Sequence, residues 1–365
     1  MFDELRKRVN KEIEAFFDEE ISRASDVGKF NKKFYETLKE FVLRGGKRLR
    51  PILSILVYRA LGKEDDKVVR PAISIELLHN STLIHDDIID RDELRRGKPT
   101  FHVIWREEFG DEHVGMSFGI LGGDLVRALG LKTIFSSDLD VDLKASLSEI
   151  YDRAYITVVD GVLKELDMVF NPHVTEDDYM DMIYRKTAAL FEASAAIGAK
   201  VARADEFEES KYREFAKLVG MAFQIQDDIL GSFGDPKVIG KPVDSDIREK
   251  KRTILLIKAL EDAEPDDLKV LYEYLKAKDV TKDMVEKVRE ILKKYGLPYA
   301  RQKALELVER AKELVADAPN YEDLRAYAEF VVFRRKRVFV YILKVLRMCK
   351  QWRNSRGRRL RYLNI

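Results

Sequence analysis

Apolar residues recur at intervals of three and four along almost the whole chain, as in Ile73, Leu77, Leu78, Ile84 and Ile88, or Phe215, Leu218, Val219, Ala222, Ile225 and Ile229. That is the period of an α-helix with one face in a core. Strand-like alternation bounded by turn residues is not sustained anywhere, so the chain reads as all-α, with roughly ten helices or more. Breaks are expected at Arg44-Gly45-Gly46, from Arg91 to Pro99, at Asn171-Pro172, from Gly231 to Pro242, near Pro265 and at Gly296-Leu297-Pro298, where Gly and Pro interrupt helical backbone. With 36% charged residues, 19 Gly and 9 Pro in 365 residues, disorder, collagen-like repeats and a loop-rich sandwich are excluded. No Pro/Ser linker or internal repeat divides the body. The simplest organisation is one helical domain over residues 1–335 and a basic tail over 336–365.

The net charge of +1 conceals that division. No acid follows Glu329, whereas twelve Lys or Arg lie from Arg334 to Arg361, so the tail carries +12 and the rest about −11. The tail's apolar run, around Val338 to Leu346, is too short to span a bilayer. Its basic surroundings suit an interfacial helix on anionic lipid, and the competing account is a last helix packed on the body followed by a basic end. No nucleic-acid partner is expected. Cys349 is the single cysteine, which removes a disulfide framework and a cysteine-based zinc site. No 18-residue apolar run stands out as a membrane span, and the N-terminus alternates charge. A cytoplasmic protein, at most peripheral at a membrane, is the expectation.

Chemistry concentrates first in HNSTLIHDDIIDRDELRRGKPTFH, His79 to His102. On a helix Asp86 and Asp90 share a face one turn apart, with Asp87 rotated away by roughly 100°. Like charges at that spacing repel, and here they are embedded among Leu83, Ile84, Ile88 and Ile89. A hard cation reverses the sign: Mg²⁺ takes one or two carboxylates and fills its other positions with water and phosphate oxygens. Asp177, Asp178 and Asp181 repeat the spacing. They follow Thr175, however, with Asp178 at a capping-box position, and are read as helix capping. Arg95, Arg96 and Lys98 set the Asp86 cluster apart, because guanidinium groups beside metal carboxylates suit a ligand with several phosphate oxygens.

The device recurs in FQIQDDILGSFGDPKVIGKPVDSDIREKKRT, Phe223 to Thr253, where Asp227 and Asp228 precede a Gly/Pro loop carrying Lys241, Lys251 and Arg252. Two carboxylate faces across a helical cavity could hold divalent ions with a diphosphate as shared ligand. GGKRLRP, Gly45 to Pro51, sets Lys47, Arg48 and Arg50 behind a Gly pair and before a helix-starting Pro, as a phosphate-holding loop requires. Lys186 stands in RKTAALFEAS, where an ammonium is costly unless it meets an anion; a snorkelling surface lysine is the alternative. His79 reads as a phosphate donor and His85 as structural, with neither a zinc spacing nor a Ser-His-Asp set.

Two Asp-rich helices, a GGKRxRP loop and a KT element resemble the trans-isoprenyl diphosphate synthases over about residues 20 to 335. The resemblance implies the all-helical isoprenoid synthase bundle around a central cavity, a homodimer, and magnesium at three ions per site. It implies condensation of isopentenyl diphosphate with an allylic prenyl diphosphate. Asp86 and Asp90 then match the first metal motif and Asp227 the second, with Asp87 and Asp228 counted among the metal ligands. Lys47, Arg50, His79 and Arg96 match the isopentenyl diphosphate positions. Arg95, Lys186 with Thr187, and Lys241 match the allylic diphosphate positions, supported by Gln224 and Lys251. Three departures stand out: Gly231 replaces the third Asp of the second motif, leaving Asp228 and Asp235 to assist, Lys250 stands where Gly is frequent, and DGVLKELDM lacks the usual Gly-Gln pair. Ser81 and Thr82, five and four residues before Asp86, are small where aromatic residues would close the tunnel, which implies geranylgeranyl-length or longer products. A terpene cyclase of the same fold and a non-catalytic partner subunit are the alternatives. Lys47, Arg50 and Arg96 argue against the first, since a one-substrate enzyme has no use for a second diphosphate pocket.

Overall fold

A computed structural model of the chain describes residues 1–171, 173–234 and 244–333. Its helices are α1 (Phe2–Val27), α2 (Lys29–Leu43), α3 (Leu49–Ala60), α4 (Val69–Ile89), α5 (Phe101–Phe109), α6 (Glu112–Phe135), α7 (Val141–Phe170), α8 (Glu176–Ile183), α9 (Ala189–Val201), α10 (Glu206–Phe233), α11 (Ser245–Arg248), α12 (Ile254–Asp262), α13 (Pro265–Lys276), α14 (Lys282–Lys294), α15 (Gly296–Leu314) and α16 (Tyr321–Phe333). A π-helical turn, Tyr184–Ala188, joins α8 to α9. The all-α expectation holds, with one exception that spacing did not reveal. Leu94–Arg95 (β1) and Lys98–Pro99 (β2) pair antiparallel, Arg95 opposite Lys98, around Arg96 and Gly97, both at positive φ. Positive φ at both central residues is the geometry of a tight hairpin turn.

The two apolar series build the centre. Ile73, Leu77, Leu78 and Ile84 of α4 and Phe215, Val219, Ala222 and Ile225 of α10 are fully or almost fully buried. Helix α4 is apolar nearly all round, as a helix enclosed by others must be. It lies against α6 in antiparallel sense: a β-carbon on Gly119 would stand 2.6 Å from Ile88, and one on Gly130 would stand 3.1 Å from the Ser74 carbonyl. Helix α6 is long and apolar enough to cross a membrane by length and composition, contrary to the expectation from apolar runs. Its glycine face is packed on α4 and α5. Gly231 lies within α10, and Gly296-Leu297-Pro298 opens α15 without a loop, so those two expected breaks shift.

Helix starts follow local chemistry. Asp111, Asp140, Asp205 and Thr281 each accept a first-turn backbone N–H. Thr175 and Asp178 form the reciprocal capping box read from the sequence. Asp181 pairs with Lys164 at 2.9 Å and Arg185 at 3.0 Å.

Glu176 staples α8 to two later helices, accepting from Tyr299 Oη at 2.7 Å, Lys303 Nζ at 2.8 Å and Lys258 Nζ at 3.1 Å. Burial alone would raise its carboxyl, but these donors pull it down to about 2. A depressed folded-state value means stabilisation that is complete above the ordinary range near 4.5 and vanishes as pH falls toward 2. Glu176→Gln should cost about 2 kcal/mol at neutral pH. In denaturant titrations the gap to the wild type should close across that acid window.

Candidate active site

Asp86 lies in the last turn of α4 and Asp90 caps that helix, both half-buried at its end. Burial raises the Asp86 carboxyl, Lys186 opposes it, and the like charges of Asp90 and Glu165 raise it further. Asp87 does not share their setting. It is wholly buried, and Arg95 donates to its Oδ1 from Nε at 2.6 Å and Nη2 at 2.5 Å. Asp87 is thus bound to Arg95, in a setting unlike that of Asp86 and Asp90. The 100° rotation between neighbouring helical residues turns it inward, where it fixes Arg95.

Lys186 sits in the π-helical turn, and its Nζ donates to Glu165 of α7. Burial would lower its ammonium, but Glu165 and Asp86 together raise it. It is a half-buried cation paired with carboxylates, not a snorkelling one. Gly161, one turn before Glu165, lets α7 touch the backbone of Arg185 and Lys186, where a β-carbon would collide. That accounts for the Gly of DGVLKELDM. Nothing in the structure explains Val162.

In α10 the same inward turn recurs. Asp227 is half-buried, while Asp228 is buried and accepts from Tyr179 Oη at 2.7 Å and Gln224 Nε2 at 2.8 Å. Gln224 in turn accepts from Thr187 Oγ1 at 2.7 Å. Burial, with the charges of Asp246 and Asp227, pushes the Asp228 carboxyl up to about 8. Asp228 is thus an anchor for Gln224 and Tyr179, and it lines one small cavity with Glu165, Lys186, Gln224 and Lys251. At Gly231, where the third Asp was missing, a β-carbon would collide with Oδ2 of Asp246 from α11. The carboxylate of Asp246, fifteen residues on, occupies the space of the absent side chain.

Lys251 connects the two clusters. Burial would lower its ammonium, yet Glu165, Asp246, Asp90 and Glu249 raise it well above the usual lysine range. It responds at once to the end of α4 and to the carboxylate lodged against α10. Lys250 adopts φ 54 and donates to the carbonyls of Leu275 and Ala277, contacts that hold a left-handed backbone where Gly would be relaxed. Lys241 and Asp235 lie outside the described residues.

Beside the carboxylates is a pocket of cations. Burial and the charges of Arg50, Arg96, Arg95 and Arg48 depress the His79 imidazole well below its ordinary value, so it is a neutral donor. Arg50 is 7% exposed, lies 4.9 Å from the Phe191 ring centroid, and among the described residues its Nε has no hydrogen-bond partner. The hairpin carries Arg96 to the Gly45 carbonyl, Nη1 to O 2.9 Å. Lys47 is exposed, with Nζ 5.5 Å from the Phe330 ring centroid. Arg48 departs from the expected phosphate-holding role, because its side chain is wholly enclosed among Asn10, Glu76 and the Val42 carbonyl.

Among the described residues no three carboxylate, imidazole or thiol side chains stand close enough to hold an ion by themselves. Asp86, Asp90 and Asp227 are half-buried hard-oxygen donors, and the mutual repulsion at Asp86 is relieved by a hard cation. The set fits magnesium whose coordination is completed by phosphate oxygens and water, not a closed protein cage. Glu165, Asp246, Tyr179 and Glu76 were missed in the sequence. For Asp246 the signal was the conjunction of a vacant motif position with an extra acid in DSD.

A model of the polyprenyl synthetase family matches residues 31–292. The short chain isoprenyl diphosphate synthase of Methanocaldococcus jannaschii is 38% identical over 82% of this chain and 85% of its own. The geranylgeranyl diphosphate synthase of Sulfolobus acidocaldarius is 34% identical over 92% and 98%. In three dimensions the geranylgeranyl pyrophosphate synthase of Corynebacterium glutamicum, solved with isoprenyl diphosphate and magnesium, superposes at a TM-score of 0.84, with 27% identity over 92% of this chain and 100% of that one. With a family match over most of its length and relatives well above 30% identity, the chain belongs to the polyprenyl synthetase family and is a chain-elongating prenyltransferase.

Proposed function

We propose that this site joins isopentenyl diphosphate to an allylic diphosphate and releases a product of geranylgeranyl length or longer. The observation that carries the reading is the pairing of two unlike groups of charges: the carboxylates of Asp86 and Asp90 with Lys186 and Lys251, and the cluster of Arg50 and Arg96 around His79. A cyclase binds one diphosphate and has no use for the second pocket.

Magnesium, three ions per site, would be held through Asp86, Asp90 and Asp227 and would neutralise charge on the allylic diphosphate as it departs. Lys186, Lys251 and Lys241 hold that diphosphate's other oxygens, with Thr187 and Gln224 fixing the turn that carries Lys186. Arg95, oriented by Asp87, faces the same group. Arg50, Arg96, Lys47 and neutral His79 orient isopentenyl diphosphate so that its double bond meets the allylic carbon once the carbon–oxygen bond breaks. The C–C bond forms, the proton leaves the adjacent carbon, and the released diphosphate accepts it. No protein base is needed.

Product length follows depth. Ser81 is buried with its hydroxyl on the Leu78 carbonyl, and Thr82 bonds the His79 carbonyl, so neither blocks the space below Asp86 with a large side chain. Tyr151 of α7 is fully buried, donates to the Arg127 carbonyl of α6 at 2.6 Å, and lies 2.5 Å from where a β-carbon on Gly130 would stand. It marks the level of Ser74, twelve residues before Asp86 and about 18 Å down the axis. Ser81→Phe should shorten the product and Tyr151→Ala lengthen it, measured by chromatography of the dephosphorylated alcohols.

A homodimer is proposed from an exposed apolar stripe on α7, Ile156, Val159, Leu163, Leu166 and Phe170, next to exposed Ile120 and Leu121 of α6. The enzyme would work in the cytoplasm. Its basic tail, outside the described residues, would rest on anionic lipid. The deciding assay incubates the protein with Mg²⁺, isopentenyl diphosphate and a labelled allylic primer. Elongated diphosphates are expected. A free hydrocarbon formed without isopentenyl diphosphate, or no turnover, would overturn the reading.

A further inference from the structure

We infer that Glu76 and Asn10, both hydrogen-bonded to Arg48, are positioning residues for the isopentenyl diphosphate pocket and act through Arg48. The inference rests on the substrate assignment above.

The loop bearing Lys47 and Arg50 has an unusual backbone. Gly45, Gly46 and Arg48 hold φ of 112°, 107° and 52°. Glycine enters that region freely, whereas an arginine does so at a cost of about 1 kcal/mol or more. Something must hold Arg48 there. Its guanidinium is fully enclosed and spends three donors on three different elements: Nε to Asn10 Oδ1 of α1 at 2.7 Å, Nη1 to Glu76 Oε1 of α4 at 2.7 Å, and Nη2 to the Val42 carbonyl of α2 at 2.7 Å. The next residues are fastened as well, since Tyr327 Oη of α16 donates to the Leu49 carbonyl at 2.9 Å. A planar guanidinium donating in three directions fixes both position and orientation.

Glu76 is 3% exposed and lies three residues before His79 on α4. Its charge acts on Arg50 and Arg96 as well as on Arg48. Gly46 sits between Arg96 and Arg48, where a β-carbon would approach Arg96 Nη2 to 3.2 Å and Arg48 Nη1 to 3.3 Å. One buried carboxylate therefore stands beneath three arginines, two of which await a diphosphate. Without it the guanidiniums repel, and the loop loses the clamp that aims Arg50.

The sign of the effect separates this role from simple electrostatics. Were Glu76 only a negative charge near an anion site, Glu76→Gln would tighten isopentenyl diphosphate binding. A clamp predicts the reverse. The test is steady-state kinetics of the full chain with each substrate varied in turn, on Glu76→Gln and Asn10→Ala, with thermal unfolding in parallel. Expected is a rise in KM for isopentenyl diphosphate of about thirtyfold for Glu76→Gln and about fivefold for Asn10→Ala, with KM for the allylic substrate within about threefold. A lower or unchanged isopentenyl KM in folded protein overturns the inference. So does an equal loss for both substrates that tracks a lowered Tm. Should Glu76→Gln fail to fold, the Asn10→Ala split decides alone. If Arg50→Gln moves that KM and these variants do not, the pocket stands and the clamp falls; if none does, the pocket assignment itself fails.

Discussion

Asp86→Asn is expected to lower kcat for condensation about a thousandfold, close to 4 kcal/mol of transition-state stabilisation, with the fold intact. The side chain keeps its shape, and its carboxyl is already raised by burial and by Asp90 and Glu165, so removing the charge relieves repulsion in the free protein. The loss falls where the charge is needed, in binding the cations that offset the departing diphosphate. Two readouts accompany the rate. The thermal shift produced by Mg²⁺ with pyrophosphate should disappear, whereas Tm without them should hold or rise. Asp87→Asn is the informative contrast: it strips the buried partner of Arg95 and should lower Tm by several degrees, because breaking a buried ion pair leaves a charge uncompensated. Turnover of Asp86→Asn within about tenfold of wild type would remove Asp86 from the metal site.

Arg50→Gln is expected to raise KM for isopentenyl diphosphate about a hundredfold, some 2.7 kcal/mol, with a much smaller change for the allylic substrate. Arg50 is buried, and among the described residues its Nε lacks a hydrogen-bond partner. Burial depresses it, and only the more distant charges of Glu76, Tyr327 and Asp227 support it. A buried cation in that state is stabilised strongly by an incoming diphosphate. The glutamine keeps a donor but loses the charge and the fork. Initial-rate measurements with each substrate varied at saturating partner separate the two KM values. Equal rises in both would place Arg50 outside a dedicated second pocket.

Helix period, capping and the doubled aspartate clusters were legible because each is written within a turn or two of chain. Thr175 with Asp178 could be told from the true cluster on capping grounds alone. The same helical geometry carried the information that Asp87 and Asp228 turn inward, although their motifs placed them among the ligands. The hairpin at Arg96-Gly97 was less visible, since two residues per strand leave no alternation to detect.

Local spacing determined that this chain would be a helical bundle with acidic helix ends and basic loops, and that it would handle diphosphates. Long-range packing decided which charges meet. Lys186 finds Glu165 across 21 positions and Arg48 finds Glu76 across 28, while Asp246 comes to rest against Gly231 from beyond the loop. Such partnerships arise when helices close around a core and leave certain charges no water to turn to. Their energy depends on distances between elements that no periodicity within a single helix records.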